Sequence, residues 1–251
     1  EVKNPAKYIE NIGRMVTKTI FRYDLIREGD KILVAVSGGK DSLVLLETLA
    51  MRRKHMPINY SLEAVHVDVT NIHYQIDFDY IRKFCDQYEI PFHIKNIEID
   101  FEGEKKKSPC FLCSWYRRRE LFGLARQMDC NKLAMGHHRD DAIETLLMNM
   151  IHHGSISSLP PKLSMFNGVF DIIRPLIVLS DEQLNTFADI RNFRREKKLC
   201  PYGDQTSRNE SKKLFDDLEK MNPNARKNIF RAMSKDKVFH DYLPDIKQFE
   251  K

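Results

Sequence analysis

The sequence predicts an α/β fold of the Rossmann type, in which helices sandwich a parallel sheet and helical extensions follow at the ends. Short apolar segments rich in β-branched residues alternate with longer segments whose apolar residues recur at helical spacing. Strands that alternate with helices imply right-handed crossovers and a parallel sheet. The 251 residues, 42% of them hydrophobic, can bury one sizeable core. We therefore expect one α/β domain with terminal additions.

The predicted organisation has three segments. Residues 1–27 form an N-terminal helical extension, which we expect to pack on the central domain because Ile9 and Val16 share one helical face. Residues 28–180 form the central α/β domain. Residues 181–251 form a C-terminal helical extension.

The composition is mildly basic, since 41 Lys and Arg residues outnumber 36 Asp and Glu residues. The resulting net charge of +5 is compatible with a polyanionic partner. The sequence contains no apolar run near the roughly 18–20 residues of a membrane-spanning helix and no signal-peptide core, so we expect no membrane partner and a cytoplasmic protein. Five cysteines in a reducing compartment favour free thiols, metal ligands or catalysis over a disulfide framework.

The first strand is the continuously apolar run 32–36, and it ends abruptly in a polar turn before a predicted helix. The residues of this turn are Ser37, Gly38, Gly39, Lys40, Asp41 and Ser42. Glycines let the backbone approach a ligand closely, and the helix that follows offers unpaired N–H donors at the positive end of its dipole. The turn therefore predicts a phosphate-binding site.

The side chains of the same turn have complementary chemistry. The two serines add hydroxyl donors, Lys40 can neutralise phosphate charge, and Asp41 can hold Mg²⁺ or cap the helix. A simple connection between strand and helix is the alternative. The spacing matches neither the Walker A motif nor the Rossmann glycine pattern.

Two further strands are predicted at 61–69 and 91–99, with a helix over 73–88 between them. The third strand alternates enough to be an edge or half-buried strand. His66 and Asp68 approach the carboxyl end of the second strand, where α/β sheets bind ligands, so they are candidate nucleotide contacts. A satisfied core histidine is the alternative for His66.

Cys110 and Cys113 form a C-x-x-C motif at the start of a predicted helix. The positive end of a helix dipole favours thiolates, and cysteines at this spacing can bind one metal centre. The motif alone fits a redox pair, half of a zinc site or part of an iron–sulfur site. Cys85 and Cys130 lie in apolar contexts typical of small buried residues, whereas Cys200 lies in a polar turn.

A second strand-to-helix turn follows a short predicted strand over 132–135 and includes Gly136, His137, Asp140 and Asp141. A plain helix start, with Asp141 as N-cap and Glu144 as its capping-box partner, is the alternative. That alternative explains neither the glycine nor the histidines.

Two basic runs lie close in sequence to the C-x-x-C motif and to Cys200. Arg117 is the first of three arginines after the C-x-x-C motif, and a helix predicted from Ser180 and Gln183 to about Lys198 is basic along its last turns. Its basic residues are Arg191, Arg194, Arg195, Lys197 and Lys198. Solvated helix faces are the alternative, but both runs adjoin cysteines, which favours contacts with RNA phosphates. The segment from 207 onward is predicted to be helical.

The turn SGGKDS after a buried strand resembles the signature loop of the PP-loop ATP pyrophosphatases, with the adenine nucleotide alpha hydrolase-like fold. The motifs SGGKDS, CFLCSWYRRREL, MGHHRDDAIETLLMN, SLPPKL, IIRPL and a later cysteine occur in the order seen in the tRNA-cytidine 2-thiolase (TtcA-like) family, and the resemblance covers about residues 14–211. It implies that 28–180 is a PP-loop domain and that Gly136, His137, Asp140 and Asp141 line the site for ATP and substrate.

The same resemblance implies a [4Fe–4S] cluster held by Cys110, Cys113 and Cys200, with Gly203 standing where the family often has another cysteine. It also implies catalytic roles for residues around the cleft. These candidates are Asp41, Asp140, Asp141 and Arg117.

The implied reaction is ATP-dependent thiolation of a tRNA cytidine at C2, with release of AMP and pyrophosphate. The implied partners are tRNA, a sulfur donor such as a cysteine desulfurase or free sulfide, and a second copy of the chain in a homodimer. Two alternatives stay open. One is another PP-loop tRNA-modifying enzyme, for thiouridine synthesis or lysidine formation, and the other is a zinc-stabilised nucleotide- or RNA-binding protein without turnover.

Overall fold

The computed structural model describes residues 2–72, 76–101, 108–194, 214–215 and 217–235. A six-stranded sheet in the order β3-β2-β1-β4-β6-β5 forms its centre. The strands are β1 (Asp30–Ala35), β2 (Tyr60–Val69), β3 (Phe92–Ile97), β4 (Lys132–Ala134), β5 (Lys162–Met165) and β6 (Phe170–Ile173). The helices are α1 (Pro5–Arg22), α2 (Lys40–Arg53), α3 (Phe78–Asp86), α4 (Pro109–Gln127), α5 (Arg139–His153), α6 (Asp181–Ile190) and α7 (Ala225–Lys235).

The central strand β1 is apolar on both sides because it separates two cores. Ile32 and Val34 face one core with α1, α2, α3 and α6, whereas Leu33 faces a second core with α4. All three side chains are fully buried. The predicted sandwich of helices around a parallel sheet is therefore confirmed.

The two outer strands differ in how well the sequence predicts them. β3 lies at one edge and alternates between half-buried and exposed residues, as predicted. At the other edge β5 runs antiparallel to β6, an addition that the sequence analysis does not include. Their connection is a 3₁₀ turn, Phe166–Gly168, in which Asn167 and Gly168 have positive φ of 57° and 83°. Asn-Gly is a typical hairpin signal.

Helix α1 packs on the central domain. Asn4 caps its first turn, accepting from the Lys7 amide at 3.0 Å, and its apolar face enters the core shared with α2 and α6. The N-terminal helix thus forms part of the main core.

Two helices are shorter in the structure than the sequence predicts. Asp77 caps α3 by accepting from the Tyr80 amide at 2.9 Å, so the helix starts at Phe78 rather than His73. Helix α6 has the predicted capping box of Ser180 and Gln183 but ends at Ile190, well before Lys198. Its end is followed by Asn192 with a positive φ of 52°.

No helix within the described ranges is long and apolar enough to cross a membrane.

A buried ion pair joins the amino-terminal ends of three adjacent strands. Lys132 of β4 is hydrogen-bonded to Asp171 of β6, and its Nζ lies 3.6 Å from a carboxylate oxygen of Asp30 in β1. Burial alone would raise the pKa of Asp171, but the Lys132 hydrogen bond lowers it on balance. The pair therefore stabilises the fold above the ordinary carboxyl pKa, and this contribution is lost as the pH falls through the lowered pKa.

Replacement of Lys132 by methionine should destabilise the protein by about 3 kcal/mol at neutral pH, because it removes the cation next to two buried carboxylates. Urea unfolding measures this loss. The neighbouring half-exposed Lys31 is the matched control, and Lys31→Met should cost less than about 1 kcal/mol. The difference between Lys132→Met and wild type should shrink below about pH 4. Equal losses in the two variants would contradict a special role for the buried pair.

Candidate active site

The turn after β1 leaves backbone donors for a ligand. Gly38 has a positive φ of 82°, which glycine adopts without strain. Gly39 is the N-cap of α2 in an extended conformation, and it carries no side chain to bond the first-turn amides. The start of α2 is thus available to an anion.

Ser42 holds this turn in shape from within. Its hydroxyl donates to the Gly39 carbonyl at 2.8 Å and accepts from the amide of Ser37 at 3.1 Å. The hydroxyl of Ser37 also reaches it at 3.3 Å. Because Ser42 is 4% exposed, its first role is to fix the backbone around the first amides of α2.

Lys40 lies between two carboxylates. Its Nζ donates to Asp41 and to Asp181 of α6, each at 2.7 Å. Burial alone would lower the pKa of Lys40, but the two carboxylates raise it on balance, so the side chain is charged. The pKa of Asp181 is lowered, since the bond from Lys40 outweighs the effect of burial. The sequence analysis did not single out Asp181, which there reads only as a first-turn helix residue.

Asp41 and Asp181 also form the best group for a metal ion in the described residues. Together with His138 they offer ligand atoms that all lie within 4.8 Å of one another. Carboxylate oxygens are the ligands that Mg²⁺ prefers.

The second turn touches the first. A Cβ atom on Gly136 would lie 3.1 Å from the carbonyl carbon of Asp41 and 3.2 Å from the amide nitrogen of Ser42. Contacts this short with backbone cannot be relieved by a side-chain rotation. A side chain at Gly136 would therefore push the two turns apart by a few tenths of an ångström.

Helix α5 starts with a histidine cap. His138 is the N-cap, its Nδ1 accepts from the Asp140 amide at 3.3 Å, and its own amide donates to Asp141 at 2.9 Å. The alternative that placed Asp141 at the N-cap with Glu144 as partner is therefore wrong. Asp141 is instead the third helical residue of a capping box.

Both carboxylate oxygens of Asp140 are engaged by hydrogen bonds within the protein. One carboxylate oxygen accepts from the Asp181 amide at 2.7 Å, and the other accepts from Arg226 of α7 at 3.2 Å. With 4% of its surface exposed, Asp140 links three helices.

A cavity of about 420 Å³ lies between the two turns and α4. The predicted site residues that line it are Ser37, Asp41, Ser42, His66, Gly136, His137, Asp141 and Arg117. The predicted residues outside its lining are Gly38, Gly39, Lys40, Asp68, Asp140, Cys110 and Cys113. The cavity thus gathers residues from both turns, from β2 and from the cysteine-bearing helix.

His66 belongs both to the core and to the cavity wall. Its Nδ1 lies 2.7 Å from the Val36 carbonyl, which as an acceptor places the proton on Nδ1, and its ring meets Phe78 edge-on at 5.5 Å. Asp68, two residues further along β2, lies beyond the lining.

Helix α4 brings the C-x-x-C motif next to the cavity. Ser108 caps the helix by accepting from the Phe111 amide at 3.3 Å, and Cys110 and Cys113 are half-buried in its first two turns. One turn later Arg117 lines the cavity. Half-buried thiols near a helix N-terminus suit the thiolates of an iron–sulfur cluster. Cys200 lies outside the described residues.

The remaining described cysteines have a different character. Burial raises the pKa of the Cys85 thiol to about 12 and that of Cys130 to about 11. Thiols so strongly protonated are poor metal ligands and poor nucleophiles. Only the C-x-x-C pair among the described cysteines therefore fits a cluster.

Several arginines of the two basic runs form contacts within the protein. Arg119 stacks over Trp115 and Tyr116, with its guanidinium 5.2 and 4.7 Å from the ring centres. Arg191 pairs with the buried Glu47 at 2.6 Å, and Arg194 is ion-paired with Asp77. Lys197, Lys198 and Arg195 lie outside the described residues.

Arg174 is a cavity residue that the sequence analysis missed. It follows β6 in the motif IIRPL, is 2% exposed, and donates from Nη1 to the Pro160 carbonyl at 2.6 Å. The sequence signal for Arg174 is its position directly after an apolar strand, because ligands bind at the carboxyl edge of a parallel sheet.

The comparisons with known proteins agree with this geometry. The model of the PP-loop domain family matches residues 8–210. The chain is 35% identical over 97% of its length to the tRNA-cytidine(32) 2-sulfurtransferase of Paraburkholderia phytofirmans, of which it covers 73%. It is 36% identical over 89% of its length to the protein of the same name from Citrifermentans bemidjiense, of which it covers 89%. The chain belongs to the tRNA-cytidine 2-sulfurtransferase family of PP-loop enzymes.

A solved structure extends the comparison from sequence to fold. The U34-tRNA thiolase NcsA from Methanococcus maripaludis, determined with its [4Fe-4S] cluster, matches this PP-loop enzyme with a TM-score of 0.75 and 26% identity. The match covers 94% of this chain and 81% of NcsA.

The contact at Gly136 yields a specific prediction. Gly136→Ala should weaken ATP binding by about tenfold, because the added methyl group separates two turns that must act together, and small misplacements of binding groups are costly. Calorimetric titration with ATP measures the loss. Gly123→Ala is the matched control, since a Cβ atom there meets nothing within 4 Å. Unchanged affinity in Gly136→Ala would show that the close approach is irrelevant to the nucleotide.

Proposed function

We propose that this PP-loop enzyme thiolates tRNA: it adenylates the C2 oxygen of a cytidine and then replaces that oxygen with sulfur. The observation that carries the proposal is the shared cavity, which is lined by the SGGKDS turn on one side and on the other by Ser114 and Arg117 of α4, the helix whose first turns carry the C-x-x-C motif. An activated carbon and its sulfur source must meet in one crevice for the reaction to proceed. The names of the relatives and of the solved thiolase support the same reading.

ATP is proposed to bind with its phosphates at the SGGKDS turn. The first amides of α2 and the side chain of Lys40 provide the positive potential, and the buried Arg174 adds a fixed positive charge in the cavity wall. Mg²⁺ is proposed to lie at Asp41, with Asp181 as the neighbouring carboxylate. In this arrangement Lys40 moves from its two carboxylates toward the phosphates.

In the first step the C2 oxygen of cytidine attacks the α-phosphorus of ATP, the bond to the β-phosphate breaks, and pyrophosphate leaves. Arg117 and the amides of the turn face the charge that develops on the phosphates. Asp141 and His137 border the cavity where the base must lie, so we assign them to orienting it. In the second step hydrosulfide forms a bond to C2 and gives up its proton to solvent, the bond between C2 and its former oxygen breaks, and AMP leaves with that oxygen.

Cys110, Cys113 and Cys200 are proposed to hold the [4Fe–4S] cluster, which, when bound by three protein ligands, would supply an iron open to sulfur. The proposed sulfur donor is free sulfide, or a cysteine desulfurase whose persulfide sulfur is released as sulfide by a thiol reductant. The homodimer and the cytoplasmic location predicted from the sequence are likewise proposals.

Loss of the carboxylate at Asp41 should reduce pyrophosphate release by at least about 100-fold, because a charge-stabilising contact at the reacting phosphates is removed. Release is measured with tRNA and ATP present. Asp86→Ala, which removes an exposed carboxylate at the end of α3, should leave the rate unchanged. Turnover in Asp41→Ala equal to that of wild type would remove this residue from the mechanism.

Protein purified under strict anaerobiosis should contain about four irons per chain and a broad charge-transfer absorption. Cys110→Ala, Cys113→Ala and Cys200→Ala should abolish thiolation and deplete iron while ATP binding persists, since the SGGKDS turn does not depend on the metal. Cys85→Ala and Cys130→Ala are the controls and should keep their iron. Stoichiometric zinc in protein that thiolates tRNA, or full activity of Cys200→Ala, would disprove the cluster.

A further inference from the structure

The C-terminal helix α7 is connected to the nucleotide turn, residues 37–42, by a series of hydrogen bonds. Arg226, in the first turn of α7, lies 86 residues from Asp140 in sequence, yet its Nη1 donates to one oxygen of that carboxylate at 3.2 Å. The other oxygen of Asp140 accepts from the Asp181 amide at 2.7 Å. The Asp181 carboxylate in turn accepts from Lys40 at 2.7 Å. Three hydrogen bonds and the covalent frame of Asp181 thus connect Arg226 to Lys40.

The position of Arg226 is fixed on three sides. Its Nε donates to Glu219 at 2.9 Å, and its guanidinium stacks over the Phe215 ring at 4.6 Å. Phe215 is fully buried in a cluster that joins the C-terminal segment to α5. This packing includes Ala142, Ile143, Leu146, Ile177 and Met233. The guanidinium is therefore held in place before any ligand arrives.

The charge of Asp140 explains why this series of contacts affects the nucleotide turn. The Asp140 side chain is 6% exposed, so its charge needs a fixed cationic partner. With Arg226 present, one oxygen of Asp140 is free to hold the Asp181 amide at the start of α6. The backbone of Asp181 is held at this amide, its carboxylate is held by Asn185 at 2.8 Å, and the same carboxylate accepts from Lys40, which also bonds Asp41.

We propose that Arg226 is a positioning residue for the nucleotide turn: through Asp140 and Asp181 it sets the location of Lys40 and so the affinity for ATP. The inference rests on the proposed binding of ATP at the SGGKDS turn. It gives α7 a role in the PP-loop site, which the sequence alone does not suggest because Arg226 lies outside every recognised motif.

The test measures binding of α,β-methylene ATP with Mg²⁺ to the full chain without tRNA. Arg226→Met keeps the aliphatic packing over Phe215 but removes both ion pairs, and we expect it to weaken binding about fivefold. Arg226→Lys restores a charge and should recover part of the affinity. Lys220→Met removes an exposed charge from the same C-terminal segment and should bind like wild type.

Two further measurements separate positioning from a loss of stability. Thermal unfolding without nucleotide should show a loss of stability in Arg226→Met, because the buried Asp140 carboxylate loses its cationic partner. Binding is therefore compared at a temperature at which both proteins are fully folded, where a purely structural role would leave the affinity of the folded protein unchanged. Asp140→Asn should reproduce the weaker binding, and the double variant should be no weaker than either single one, because both act on one path. If Arg226→Met does not fold, Asp140→Asn alone decides the matter, and wild-type affinity in that variant would overturn the inference.

Arg226→Met that folds and binds the analogue as tightly as wild type would overturn the inference and leave the proposed function intact. An additive loss in the double variant would overturn it as well. Failure of the wild-type protein to bind the analogue would instead overturn the nucleotide site itself.

Discussion

Parallel pairing of β1 with β4 is the constraint on which the site depends. The register places Val34 opposite Ala134, so both strands end at the same level and release their turns at the same edge of the sheet. The absence of a side chain at Gly136 then lets the two turns touch. Any slip of this register would separate the amides of α2 from the capped start of α5.

Lysine–carboxylate ion pairs fix the positions of side chains that the sheet brings close together. At the amino-terminal edge the Lys132 pair is buried and stabilises the fold, while at the carboxyl edge Lys40, Asp41 and Asp181 are partly exposed and are the proposed binding site for phosphate and Mg²⁺. Both groups are lysine–carboxylate ion pairs, but the first is buried and the second is partly exposed. A buried pair is costly to open, whereas an accessible one can exchange its partner for a phosphate.

Local sequence patterns were sufficient for the core of the fold and for the two turns. The apolar run 32–36 and the glycines of SGGKDS are local signals, and so is the capping box at Ser180. Contacts between distant segments were not predictable in this way: Asp181 reads as an ordinary helix start until α5 and α2 pack against it. Edge strand β5 was missed because four residues give too short an alternation, and α6 was predicted too long because basic residues after Ile190 are also good helix formers.

The resting place of Lys40 has a consequence for product release. Lys40 is bonded to Asp41 and Asp181, so in the proposed reaction an entering phosphate must displace both carboxylates before it gains the full charge of the turn. In the same proposal, pyrophosphate meets this competition after the reaction, and return of the lysine to its carboxylates favours departure of the product. The proposed mechanism therefore combines weaker binding of all phosphate compounds with weaker product inhibition.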